Sequence, residues 1–359
     1  MNQFWIVRPG SAQGFDGSTP FTTGFGFSIP RLTGPSVFGF ALCAVLLALC
    51  TLGDAQQPEK VARIGYLHSG SAARPPESLK AFREGLRDLG YIEGKTIKIE
   101  YRFAEYKPER IPELASELVG LNPDVIVTSQ TPSVLAIQKI SSTIPIVFGV
   151  LSFPIENGII TSFARPGKNA TGLTVLSEVL NGKRLALLKE VTPKITRVGV
   201  FSNLDNPTQP LEWRETQSAA ESLGVKLQSL GVRSANDFDA TFRLAVTERC
   251  QGLMNLPEAM INANFKRIAA FAAKHKLPAV YSDRAAIDDN GLMFYGPITA
   301  DIWRRAASYV DKVLKGSKPA DLPVEQPTKF QFVVNLRAAK EIGLAIPQRV
   351  LLKADRVIK

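Results

Sequence analysis

Apolar residues in this chain fall into short runs that alternate with helical stripes, and small polar residues collect where the runs end. Residues 61–67 (VARIGYL) form the first run, with the β-branched and aromatic content that suits a strand. His68 to Ala73 follow as a small polar loop, and over 78–89 Leu79, Phe82, Leu86 and Leu89 recur at helical spacing. Strand 96–101 (TIKIEY) comes next, then helix 109–121 with Ile111, Leu114, Ala115 and Leu118 on one side, then strand 125–127. That strand runs out into Thr128, Ser129, Gln130 and Thr131. Pro132 suits the first turn of the following helix, where its missing N–H costs nothing. Val134, Ile137 and Ile140 give this helix a buried side before strand 146–148 begins. Strands alternating with helices of roughly 10–15 residues predict βαβ units and parallel sheet.

Residues 158–174 break the rhythm with Pro166, Gly167 and Gly172, and are read as the passage out of a first lobe. The alternation then restarts: helix 185–191, strand 197–202, a loop from Asn203 to Pro207, helix around 211–223, strand 225–230 and helix 238–247. Strand 252–256, helix 261–275, strand 278–282, strand 292–295 and helix 301–314 continue it. The Pro-punctuated segment 319–327, strand 330–335 and a helix near 338–342 end the chain. The fold class expected is α/β, with two Rossmann-like lobes, parallel sheets, and hinge strands near 170–174, 295–299 and 326–330. Residues 60–172 with 297–326 make the first lobe in this reading, and 173–296 with 327–359 the second. A cleft between hinged lobes suits a small ligand, which open α/β sheets bind at the carboxyl ends of their strands.

Composition adds an address. Residues 37–52 are apolar and uncharged, preceded by Arg31 and followed by Gly53, Asp54 and Ala55. A run this short, with small residues at a cleavage point after Ala55, reads as a signal peptide within a 1–55 leader, and an uncleaved anchor is the alternative. Residues 1–35 are long and nearly uncharged for the start of a signal, and lipid attachment at Cys50 is unconvincing after bulky Leu49. The formal net charge is +10, and the leader's two Arg and two Asp contribute nothing to it. The basic residues are scattered among acidic ones, as at Lys80, Arg83, Glu84, Arg87 and Asp88, without the concentrated footprint that nucleic acid requires. Once the leader is set aside, Cys250 is alone, so no intramolecular disulfide is expected.

Catalytic signatures are missing. Residues 90–96 (GYIEGKT) resemble a phosphate loop but are one residue short, and they follow a helix and precede a strand, the reverse of the required order. No GxGxxG follows a strand, no HExxH occurs, and no nucleophile elbow accompanies His68 or His275. His275 ends a helix, where a cation is favoured by the dipole. No cofactor, no metal and no enzymatic turnover are expected; binding is favoured. A base at His68 or Glu258 on the same frame is the enzymatic alternative.

Six stretches together carry a resemblance: RIGYL near Arg63, LRDLGYIEGKTIKIEYRFAE over 86–105, TSQTPSVLAIQKISSTIPIVF, SFARPGKNATGLT, LPAVYSDRAAIDDNGLMFYG and ADLPVEQPTKFQFVVNLRAAKEIGLAIP. In this order they resemble the ABC-transporter substrate-binding proteins of the tryptophan/tyrosine type, which have the type I periplasmic binding fold. The likeness runs from about Arg63 to Ile358. It implies a periplasmic, monomeric receptor that takes a small anionic or zwitterionic, amino-acid-like solute to an ABC permease in the inner membrane. An exported ligand-sensing subunit for a signalling partner is the rival reading. The ligand contacts the resemblance implies are Ser69, Gln130, Thr131 and Ser133 from the first lobe, with the helix near Pro132 presenting N–H groups to an anion. From the second lobe they are Asn203, Asn206, Glu258 and Ser282, with Asp283 a further candidate. Each of these residues could equally serve as a cap or turn. Where the family commonly has Asp before Pro-Val, this chain has Phe153 before Pro154 and Ile155, either an aromatic face for the cleft or packing against the crossover.

Overall fold

The computed structural model describes residues 61–73 and 76–359; the leader, the apolar run 37–52 and the cleavage point after Ala55 lie outside these. Residues 59–359 form one compact unit. In chain order its strands are β1 (Ala62–His68), β2 (Ile97–Phe103), β3 (Val125–Thr128), β4 (Ile146–Leu151), β5 (Ala170–Thr174) and β6 (Arg197–Asn203). They continue as β7 (Lys226–Val232), β8 (Gly252–Asn255), β9 (Ala279–Tyr281), β10 (Met293–Pro297), β11 (Phe330–Asn335) and β12 (Arg356–Ile358). The helices are α1 (Glu77–Asp88), α2 (Ile111–Gly120), α3 (Thr131–Ile140), α4 (Ser177–Val191), α5 (Gln209–Ser222) and α6 (Phe238–Thr247). After them come α7 (Ala259–Ala263), α8 (Phe265–Lys274), α9 (Ala285–Asp288), α10 (Thr299–Leu314), α11 (Leu336–Glu341) and α12 (Gln348–Leu351).

Two α/β lobes result. The first has a sheet of order β2-β1-β3-β4-β5 and the second a sheet of order β12-β11-β10-β9-β8-β6-β7. All pairs in the first are parallel, as the βαβ alternation demands. The second is mostly parallel as well, and β11 runs antiparallel to β10, with Pro297 opposite Phe330. The reason is topological. β10 leaves the lobe at its carboxyl end, and the chain returns at that same end to start β11.

Residues 158–174, read from their prolines and glycines as a passage, contain the edge strand β5. Gly172 has φ +146°, and a Cβ there would lie 2.0 Å from the Phe148 carbonyl oxygen, so only glycine lets β5 lie against β4. The helix expected over 261–275 is broken at Asn264, whose Nδ2 donates to the Met260 carbonyl at 2.8 Å. Helix α10 returns to the first lobe: Ile302, Trp303, Ala306 and Val310 join Ile64, Tyr66, Phe82 and Val127 in one core. The approach to α1 is close, since a Cβ on Gly85 would meet the Arg304 carbonyl at 2.8 Å.

The chain crosses between lobes after β5, after β10 and before β11, and the crossings lie side by side. Thr174 N donates to Glu325 O at 2.9 Å, and Ile298 N to Lys329 O at 3.1 Å. The carboxyl ends of β1, β3 and β4 thereby face those of β6, β8 and β9 across one seam.

Candidate functional site

On the first lobe, the ends of β1 and β3 are stitched together by short polar side chains. Thr128 Oγ1 donates to the Leu67 carbonyl at 2.9 Å, and Ser69 Oγ to Gln130 Oε1 at 2.9 Å. Gln130, Phe153 and Leu176 all hold positive φ (66°, 50° and 52°) just past β3, β4 and β5. Non-glycine residues adopt that region at a cost, and such residues gather at ligand-gripping sites. Thr131 opens α3 with Pro132 in its first turn, and no side chain caps its free N–H groups. Ser133 is fully buried, and its hydroxyl has no partner among the described residues.

The second lobe spends most of its expected contacts on its own loops. Asn203 Oδ1 accepts from Asp205 N at 3.1 Å, and Asn206 Oδ1 from Thr208 N at 3.0 Å. Glu258 Oε2 accepts from Met260 N at 2.6 Å and Ile261 N at 3.2 Å, capping α7. Burial raises the Glu258 carboxyl above its ordinary range, and those N–H groups and Asn203 pull it back. Asn255 pins Ser282: its Nδ2 donates to Ser282 Oγ at 2.8 Å, and its Oδ1 accepts from Ser282 N at 3.1 Å. Asp283 Oδ1 accepts from Ala285 N at 2.9 Å.

Residues that sequence reasoning passed over join the two walls. Thr208, the residue before α5, donates its hydroxyl proton to Thr131 Oγ1 at 2.8 Å, and Asn157 Nδ2 reaches the same Thr208 oxygen at 3.4 Å. Like α3, α5 starts without a side-chain cap, so two uncapped helix amino ends from opposite lobes meet at this bond. Alongside it, the Ser152 and Ser177 hydroxyls lie 2.7 Å apart, one from each lobe. Below them Glu212 of α5 is 1% exposed, and burial pushes its carboxyl up to about 7. Arg184 of α4, also 1% exposed, is lowered to about 10 by burial, against the pull of Glu212 and Asp283. Burial raises Asp283 as well. One signal was available: the buried face of α5 is Gln209, Glu212, Thr216 and Ala220, a polar stripe where a merely structural helix would bury apolar residues.

Phe153 lies between the lobes in a cavity of about 260 Å³, with Leu151, Phe163 and Thr174 on one side and Leu176 and Arg214 on the other. A recess of about 550 Å³ bounded by Arg63, Asp124 and Pro145 sits at the amino ends of β1, β3 and β4, away from every loop just described. His68 is held neutral: its Nδ1 accepts from Gly70 N at 2.9 Å, and burial pushes it down to about 4. Among the described residues, no group of three or more His, Cys, Asp or Glu is arranged to hold a metal ion. The arrangement offers hydroxyls, amides, helix N–H groups and buried charges of both signs, which suits reversible capture of a small polar molecule.

Three comparisons agree with this architecture. A "Tyrosine-binding protein" of Clostridioides difficile (strain R20291) is 23% identical over 265 residues, spanning 74% of this chain and 76% of that one. A conserved domain protein from Vibrio cholerae has a solved structure with TM-score 0.77 and 26% identity, covering 83% of this chain and 100% of its own. The structure of an ABC domain in complex with L-Trp from Streptococcus pneumonia gives TM-score 0.76 and 24% identity, with coverage of 83% and 100%. The family model described as ABC transporter substrate binding protein matches residues 75–358, and this chain belongs to that family.

Proposed function

We propose that this protein is the exported receptor of an ABC importer, closing its lobes on an amino acid with an aromatic side chain and carrying it to a membrane permease. The observation behind this reading is the Thr131–Thr208 bond, which brings two uncapped helix starts together across the seam. The α3 start offers free N–H groups to a polar solute, while α5 begins with its Gln209, Leu211 and Glu212 N–H groups already bonded to Asn206 and Thr208 carbonyls. The ligand class follows two relatives: one is described as tyrosine-binding and one holds L-Trp. Phe153, with the Phe163 ring and the Leu151 and Leu176 side chains, supplies a flat apolar wall for such a side chain. First-lobe contacts come from Ser69, Gln130, Thr131 and Ser133. On the second lobe, Asn203, Asn206, Glu258 and Ser282 shape the loops that meet the solute. The protein acts as a monomer in the periplasm after removal of the apolar leader, and it performs no turnover. Among the described residues no helix is long and apolar enough to cross a membrane.

A thermal-shift screen of the twenty amino acids on protein refolded free of ligand tests the reading. A solute at a hundred times its Kd adds about 2.7 kcal/mol to stability, a rise of several degrees in Tm. L-tryptophan or L-tyrosine should give the largest rise. If no amino acid moved Tm, the receptor reading would fall.

A further inference from the structure

Three side chains meet where the lobes touch, and their hydroxyl protons alone do not complete the pairing. The Ser152 hydroxyl of the first lobe lies 2.7 Å from the Ser177 hydroxyl of the second. Both hydroxyls also bond the carboxyl of Glu212, which Gln209 Nε2 reaches at 3.3 Å. Three mutual contacts among two hydroxyls and one carboxyl need three protons, and two serines supply two. With an ionised carboxylate, one of the three contacts sets lone pair against lone pair. A protonated carboxyl closes the ring, and two of its three bonds then cross the seam.

The surroundings favour that proton while the lobes stay together. Glu212 is 1% exposed, and Thr208, just before its helix, is bonded to Thr131 of the first lobe. Parting the lobes takes Ser152 away and admits water along the first turns of α5, which restores hydration to the charged form. Among the described residues, the charged groups that bear on the cluster are few. Arg184 of α4 attracts the Glu212 carboxylate, and it attracts Asp283 in the loop after β9 as well. Both belong to the second lobe and stay with Glu212 when the lobes part, so their field is common to the two states. Glu77 of the first lobe and Arg284 act on Asp283. Separation takes Glu77 away from Asp283 and eases its ionisation, so both carboxyls respond in the same direction. On α5 itself, Arg214 and Glu215 pair with each other at 3.5 Å. Burial pushes Glu212 from an ordinary 4.5 up to about 7, which brings its proton loss to near-neutral solution.

We propose that Ser152, Ser177 and Glu212 form a proton-operated clasp between the lobes: the closed form holds a proton on the Glu212 carboxyl, and opening gives it up to solvent. Acid then favours closure and alkali favours opening. The clasp rests on the receptor reading for its use, tuning how readily the lobes let a solute go, but on no particular solute.

Small-angle scattering from the full chain, refolded free of solute, tests it at about pH 5.5 and about pH 8.5. The radius of gyration should be larger at the higher pH, with the closed-to-open ratio lower by roughly tenfold or more. Glu212→Gln keeps a donor in the ring and cannot ionise, so its two radii should agree and match wild type at the lower pH. Equal wild-type radii at the two pH values overturn the clasp, and so does a Glu212→Gln protein that opens with pH as wild type does. If Glu212→Gln does not fold, Ser152→Ala decides. It strips the closed carboxylate of its first-lobe donor, so it should be more open than wild type at the higher pH. A radius there no larger than wild type overturns the proposal. No solute enters these measurements, so their failure leaves the receptor reading standing, and an amino-acid screen without a shift in Tm overturns that reading and not the clasp.

Discussion

The two walls of the cleft solve the same problem with different chemistry. The first-lobe wall is built from neutral groups, Ser69, Gln130, Thr131 and Ser133, on strained strand ends. The second-lobe wall buries Arg184, Glu212 and Asp283 behind loops whose Asn203, Asn206 and Glu258 already cap and brace them. Neutral hydroxyls cost little to expose or cover, so a wall made of them can open and close freely. Buried charges are costly to leave without partners and reward a ligand that completes them. The second lobe is thus suited to choosing the solute and the first to closing over it.

The largest way to break this contrast is Arg184→Leu. Without the guanidinium, Glu212 and Asp283 lose their nearby positive charge, and removal of one member of a buried charged group costs roughly 3 kcal/mol. The loss should be larger at pH 8, where Glu212 ionises, than at pH 5, where it holds its proton; urea unfolding at both pH values reads it. Thr131→Ala on the opposite wall should show no such pH dependence.

Next comes the pH profile of the ligand-free protein. The Glu212 carboxyl is raised from 4.5 unfolded to about 7 folded, so the native state binds the extra proton. Its contribution is full below pH 4.5 and lost as pH rises to about 7, on the order of 3 kcal/mol. Glu212→Gln should flatten that slope, measured as Tm across the window. His68 on the first wall acts with the opposite sign. Its value is lowered from 6.5 to about 4, so its contribution is present above pH 6.5 and fades as pH falls towards 4. His68→Gln should remove that acid-side fall, a smaller effect because the imidazole is only half-buried.

A finer test is Ser133→Ala. Its buried hydroxyl has no protein partner, so removing it should leave the ligand-free protein as stable or up to about 1 kcal/mol more so, while solute affinity falls several-fold. Loss of stability without loss of affinity would make Ser133 a packing residue. The smallest effect belongs to the latch. A double-mutant cycle of Thr131→Ala and Thr208→Ala should show coupling of about 0.5–1 kcal/mol, the worth of one neutral hydrogen bond between the walls.

The alternation of strand runs and helical stripes determined two α/β lobes and the strand-end loops where a ligand would sit, because burial of one face leaves a period in the sequence. The placement of Asn203, Gln130 and Thr131 at strand ends was legible for the same reason: they stand immediately after such runs. What escaped lies where no period marks it. Asn181 and Arg184 stand before the helix expected over 185–191, outside its apolar period, and Glu212 hides in a helix whose buried stripe is polar. β5 was masked by Gly172, whose value is an approach to Phe148 that no local pattern records. Only the tertiary structure decided that α4, α5 and the loop after β9 bring their charges together under Ser152. Arg184 and Asp283 stand 99 residues apart in sequence, and whether such charges meet depends on the distance between elements, which is set by packing.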